Sequence, residues 1–166
     1  MVRTKSLPNF TKLGNSQVKK LIEPLTDYYD TNLDHLYKFK FYSNARGRVF
    51  ISPIDVFSVE FDRINSIGLY FGTLNEDERF RLTIEGTQMI NPKKNIVMLN
   101  EESLKSYLAG ESLFFEEVEF INRDGYCPYL IVKYGKHCVG VVSTKGDKEL
   151  LNYVSKGKRL DYNKVF

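Results

Sequence analysis

The sequence predicts an α+β protein: an N-terminal α/β domain over residues 1–92, then a β-rich C-terminal module over residues 93–166. Three observations predict it. Val18, Leu21, Ile22 and Leu25 recur at offsets of three, four and seven, the period of a helix with one apolar face. Tyr37, Phe39 and Phe41 alternate with Lys38, Lys40 and Tyr42, the period of a half-buried strand. From Asn95 onward, short apolar runs separated by turn residues surround a single helical stretch.

Residues 1–15 are polar, with Pro8 and Gly14, and read as a loosely held arm. Ser16 is the expected N-cap of the first helix, with Lys19 and Lys20 facing away from its apolar stripe. Pro24 has no N–H, which predicts a kink or break there and a second short helix within residues 26–36. The alternating run 37–42 turns through residues 44–48 and returns as the strand 49–52, a hairpin with Arg46 and Arg48 at its tip. That tip can grip phosphate; the plainer reading is a soluble turn. Residues 56–61 and 66–71 are further apolar segments, the second a buried strand, and residues 74–78 form an acidic loop. Residues 79–90 read as a helix with Phe80, Ile84 and Gln88 on one face, weakened at Gly86 by about 1 kcal/mol relative to alanine. Asn91, Pro92, Lys93 and Lys94 suit a linker and set the domain boundary.

The C-terminal module opens with the apolar run 95–99. Asn100 caps a helix over residues 101–109 that lays Leu104, Tyr107 and Leu108 on the sheet, and Gly110 supplies the left-handed turn that ends it. Residues 112–115, 118–121 and 150–154 supply strand material, the strands 129–134 and 138–142 pair across Gly135, and residues 160–162 are the last strand. The chain has neither an internal repeat nor a low-complexity tract.

Composition narrows the class. A hydrophobic fraction of 42% with 27% charged residues is that of a folded domain, and no apolar run approaches the length needed to span a bilayer. The first residues lack the apolar core of a secretory signal, so a cytoplasmic protein without a membrane partner is expected. The net charge of +3 is small, but its distribution is uneven. From residue 121 onward Arg123, Lys133, Lys136, Lys145, Lys148, Lys156, Lys158, Arg159 and Lys164 face only four acidic residues, while Glu111, Glu116, Glu117 and Glu119 cluster just upstream. A polarised surface of this kind suits an anionic partner, and an unevenly charged solvated face is its plain alternative.

These elements, in this order, carry a resemblance. The apolar strand before a short helix ending in Leu108-Ala109-Gly110, the hairpin 129–142 with Gly140, and the Lys156-Gly157-Lys158-Arg159 approach to the final strand resemble a PUA domain. The hairpin 37–52, the Arg81-Leu82-Thr83 step and the chain from Asn95 onward are similar to the short archaeal proteins of the NOL1/NOP2/Fmu (RsmF-type) group, which lack the methyltransferase domain. The resemblance implies a PUA-like β pseudo-barrel at the C-terminus. It also implies a non-catalytic RNA-binding protein acting on rRNA or tRNA in ribosome biogenesis or RNA modification. Carried onto this chain, the phosphate-binding positions are Lys156, Lys158 and Arg159, with Lys136 and Lys145 on nearby turns; Arg81 of the matched step and Arg46 and Arg48 of the hairpin tip, read from the residues themselves, are further RNA-binding candidates. Tyr134, Tyr153 and Tyr162 lie among basic residues and are candidates for stacking on bases, although most of the aromatic residues are expected to fill the core. Two alternatives stay open. The chain could be an interaction module docking on a separate RNA-modifying enzyme or ribosome-assembly factor, or its barrel could hold a small ligand.

Catalysis is not expected. There is no glycine-rich cofactor loop after a strand, and Cys127 precedes Pro128, the reverse of the order a cytosine-5 methyltransferase nucleophile needs. His137 and Cys138 are neighbours on a strand and so point to opposite faces. Cys127 and Cys138 cannot supply a four-ligand zinc site, even with His137, and read as buried small side chains. Asp27, Asp30 and Asp34 recur at helical spacing, but a solvated helix face explains them without a metal. No cofactor is expected.

Overall fold

The computed structural model describes residues 9–58 and 67–160. Its first half is an antiparallel sheet of five strands in sequence order, β1 (Phe10–Lys12), β2 (Lys40–Asn44), β3 (Arg48–Ser52), β4 (Leu69–Leu74) and β5 (Phe80–Leu82). Helix α1 (Asn15–Tyr29) lies between β1 and β2, and the short helix α2 (Ile84–Thr87) follows β5. The second half is a six-stranded sheet built from β6 (Ile96–Leu99), β7 (Leu113–Phe114), β8 (Glu119–Ile121), β9 (Leu130–Tyr134), β10 (His137–Lys145) and β11 (Glu149–Asn152). Their order across the sheet is β7-β11-β10-β9-β6-β8, and β6 pairs parallel to β9 while its other edge pairs antiparallel to β8. Helix α3 (Glu101–Leu108) links β6 to β7.

Three apolar clusters hold these layers, and the second sheet serves the two largest. Val18, Leu21, Ile22, Leu25 and Tyr29 of α1 pack on Phe41, Ile51, Phe71 and Leu82 of the first sheet, and also on Ile131, Cys138 and Val141 of the second. The other face of the second sheet packs Val97, Leu130, Val132 and Val142 with Tyr107 of α3. Side chains on a strand alternate between faces, so the unbroken apolar run Leu130-Ile131-Val132 feeds both cores from one strand. The first core therefore runs across the 92/93 boundary. Tyr29 reinforces it from α1, its buried hydroxyl donating to the Tyr129 carbonyl at 2.8 Å.

The linker is tied down by polar contacts. Asn95 is fully buried, with its amide donating to the Tyr28 carbonyl at 2.6 Å and to Asp124 at 3.2 Å. The Asp124 backbone N–H donates back to the Asn95 side chain at 3.1 Å, and Lys94 sits 3.3 Å from the Asp124 carboxylate. Neighbouring Lys93 donates its backbone N–H to the Tyr29 carbonyl at 2.8 Å.

Several elements differ from the sequence expectation. Helix α1 is capped at Gly14, whose N–H donates to the Gln17 side chain, and not at Ser16. It passes through Pro24 without a break, because Pro24 lies on the exposed face, where water can take the carbonyl bond the ring forfeits. The expected second helix is instead a 3-10 helix over Asp34–Lys38, begun where the Asn32 side chain accepts from the Asp34 N–H. Tyr37 is thus in that helix and half exposed. Tyr42, expected on a polar face, is fully buried because β2 is covered on both sides; its hydroxyl accepts from the Val56 N–H at 2.8 Å. Residues 79–90 are not one helix but β5 followed by α2. The segment Lys156–Lys158 is a 3-10 helix, and Asp161 and Tyr162 of the expected final strand lie outside the described residues. Residues 59–61 of the segment 56–61 also lie outside them; Val56–Ser58 is a 3-10 helix. The hairpin β2–β3, the Asn100-capped helix α3 and the β9–β10 hairpin fall where the sequence places them.

Candidate functional site

The strand pairing of the first sheet puts a row of polar side chains across three strands. Arg48 of β3 pairs with Thr73 of β4, and Thr73 pairs with Arg81 of β5. Directly paired residues point to the same side, and adjacent strands lie about 4.8 Å apart, so the two arginines stand about 10 Å apart at their Cα atoms. Phe80 and Leu82 on either side of Arg81 enter the core with α1, which turns Arg81 to the opposite face. There the row forms one wall of a cleft of about 470 Å³ between the two sheets. The far wall is Gly140 and Val141 of β10 with Tyr153, Ser155 and Lys158 of the C-terminal segment, and the start of α2 closes one end.

The aromatic residues of the cleft are held before any ligand arrives. The Arg81 guanidinium lies 4.4 Å from the Tyr153 ring centroid, a cation–π stack, and Arg48 lies 5.6 Å from that of Tyr70. Tyr153 and Ser143 share a hydrogen bond of 2.7 Å between their hydroxyls, and the Tyr153 ring meets Tyr129 edge-on at 5.7 Å. Tyr70 is fixed by a hydrogen bond to the Thr73 hydroxyl and an edge contact with Phe50 at 5.2 Å. Thr83 caps α2, accepting from the Gly86 N–H at 2.9 Å while its hydroxyl donates to the Tyr70 carbonyl at 2.7 Å.

The strand order across β3–β4–β5 and the parallel β6–β9 pair complete an architecture that can be compared with known folds. No protein-family model matches the sequence, and no curated protein matches it. Among solved structures the chain is similar to a conserved PUA-domain protein from Thermoplasma acidophilum, with a TM-score of 0.60 at 14% sequence identity over 90% of this chain and 97% of that one. The chain has a PUA-like fold.

Within this PUA-like framework the charge of the cleft is unequal from end to end. Arg48 and Arg81 have no carboxylate partner among the described residues. Lys158 instead reaches across the cleft to Glu85 of α2, with an N–O distance of 2.5 Å. Burial acts to raise the Glu85 carboxyl, but the Lys158 hydrogen bond and charge, helped by the polar groups at the start of α2, outweigh it and hold it below the usual range. The second oxygen of Glu85 is buried and has no hydrogen-bond partner among the described residues.

The eight basic residues expected from the sequence are thus sorted by the PUA-like fold. Arg48, Arg81 and Lys158 meet in one cleft, with Lys156 exposed in the same 3-10 helix as Lys158. Arg46 stays exposed in the hairpin turn beyond Arg48. Arg159 lies along α3, its Nε donating to the Val154 carbonyl at 3.2 Å and its side chain occupying the space over Gly110. Lys136 and Lys145 do not join them as a pair: the first precedes β10 and the second ends it, roughly 25–30 Å apart for a strand of 9 residues. Tyr70, Thr73 and Glu85 are not among the candidates that the sequence offers. The signal for the row was present, since Phe80 and Leu82 alternate with Arg79, Arg81 and Thr83 at a period of two.

The arrangement is suited to holding an anion beside a flat apolar group. Both cysteines are free thiols, and burial pushes Cys127 up to about 11 and also raises Cys138, which disfavours their reactive thiolates. Among the described residues, no group of three or more His, Cys, Asp and Glu side chains is placed to hold a metal, and no helix is long and apolar enough to cross a membrane.

Proposed function

We propose that this chain is a non-catalytic RNA-binding protein that takes hold of RNA at the cleft between its two sheets. The observation that carries the reading is the convergence of Arg48, Arg81 and Lys158 on one concave surface with two pre-positioned tyrosine rings. Guanidinium forks match phosphate oxygens in pairs, and aromatic faces beside basic grooves stack on bases in single-stranded segments. The PUA-like fold agrees with this reading. A role on rRNA or tRNA, in ribosome biogenesis or RNA modification, rests on the sequence resemblance to the NOL1/NOP2/Fmu-type proteins, whose Arg81-Leu82-Thr83 step falls on β5 and the cap of α2.

A second reading, as an accessory subunit of a separate RNA-modifying enzyme or assembly factor, is favoured by the opposite edge of the second sheet. There Phe114 on the edge strand β7 is 46% exposed and leads into Glu116 and Glu117, both exposed. Titrations with structured rRNA, tRNA and single-stranded RNA at two salt concentrations separate the readings. Binding that weakens steeply with salt supports the RNA reading; no binding to any of these RNAs at low salt rejects it in favour of the partner reading.

A further inference from the structure

We infer that the cleft receives one unpaired nucleotide of a single-stranded segment, with its phosphate on the Arg48–Thr73–Arg81 row and its base at Glu85. This rests on the RNA-binding reading and adds the class of ligand and its orientation. The volume of about 470 Å³ lies in the range of small-molecule sites and is sized for one nucleotide unit. A duplex keeps its bases stacked inside and could bring only phosphates to the rim.

The charge arrangement fixes the direction. The row offers two guanidiniums with a threonine hydroxyl between them, and among the described residues no carboxylate competes for either. At the other end the Glu85 carboxylate repels a phosphate, but it has an acceptor oxygen to offer. Lys158 occupies one oxygen, and the other is buried without a donor among the described residues. A buried acceptor left unpaired is costly, more so when charged, and a base amino group supplies the missing N–H. Adenine, cytosine and guanine each carry such an exocyclic amino donor; uracil has only its ring N3–H, flanked by two carbonyl oxygens that a carboxylate repels. The Lys158 side chain is half exposed, so its ion pair with Glu85 can open toward solvent as the base enters.

The test uses fluorescently labelled short oligo(rA), oligo(rC) and oligo(rU) and a mixed-sequence RNA duplex, titrated into the full chain and followed by anisotropy. Single strands are expected to bind about tenfold tighter than the duplex, from base stacking alone. Oligo(rA) and oligo(rC) are expected to exceed oligo(rU) by about tenfold, the value of a hydrogen bond to a charged acceptor. Glu85→Ala, with its fold checked by circular dichroism, should abolish that preference and tighten oligo(rU) binding by freeing Lys158. Glu85→Gln keeps the side-chain shape and should reduce the preference as well, so the test does not depend on the alanine variant folding. Duplex binding as tight as single-stranded binding, or a base preference unchanged in both Glu85 variants, would overturn the inference. If RNA binds and Arg81→Ala weakens it while those discriminations are absent, the RNA-binding reading stands and this one falls. If no RNA binds at all, both fall.

Discussion

Arg81 shows how one side chain can serve packing and recognition together. Its stem leaves β5 between two core residues, and its guanidinium covers one face of Tyr153 at 4.4 Å while the N–H fork stays available at the cleft. A different residue contributes to the response to acid. The Asp124 carboxylate accepts from the backbone N–H of Tyr126 at 2.9 Å, from the Asn95 amide and from Lys94, and these hold it down to about 2. A carboxyl with a folded value below its ordinary value of about 3.9 contributes stability that is complete above that ordinary value and is lost as pH falls toward the folded value. Thermal unfolding measured from pH 5 down to about 2 should therefore show the wild type losing stability in that window. Asp124→Asn should start lower and show a flatter profile; identical slopes would mean that Asp124 does not carry this dependence.

At the scale of elements, α2 is the piece that sequence periodicity described least well. It is four residues long, capped by Thr83, and pressed so closely on β4 that a Cβ at Gly86 would stand 2.2 Å from the Phe71 carbonyl oxygen. Propensity alone says that Gly86→Ala should strengthen a helix. The close approach predicts the reverse, a loss of about 1–3 kcal/mol in denaturant unfolding, since backbone cannot be pushed aside cheaply. An unchanged or increased midpoint would contradict the packing described. The same contrast explains what could be read from the residues. The hairpin β2–β3 and the capped helix α3 were legible because local rules, alternation and an Asn N-cap, agree with the tertiary structure there. Residues 79–90 were not, because Phe80 and Ile84 also fit a helical period and nothing local reveals that β4 is waiting to pair. That misreading hid the site. Arg48, Arg81 and Lys158 were each recognisable as candidate phosphate ligands, but only strand register and a long-range ion pair bring them together. Lys136 and Lys145, close in sequence, are separated by the whole length of β10.

At the scale of the molecule, the two sheets share a core, so the walls of the cleft are set by one packing arrangement. Tyr29 joins α1 to β9's entry by a buried hydrogen bond, and removing its hydroxyl leaves the Tyr129 carbonyl without that donor. Tyr29→Phe should cost about 1–2 kcal/mol, with amide hydrogen exchange accelerating together in β3 and β9. Acceleration confined to one sheet would show that the halves open independently. On the proposed function the cleft, and not the scattered lysines of the turns, holds RNA. The most direct test is the salt dependence of single-stranded RNA binding by the double variant Arg48→Ala/Arg81→Ala, set beside Lys136→Ala/Lys145→Ala. The cleft variant should bind at least about tenfold more weakly, with a log–log salt slope shallower by about 1.4 for two lost phosphate contacts, while the turn variant changes little. An unchanged affinity and slope in the cleft variant, with the loss falling on the turn variant instead, would contradict the account.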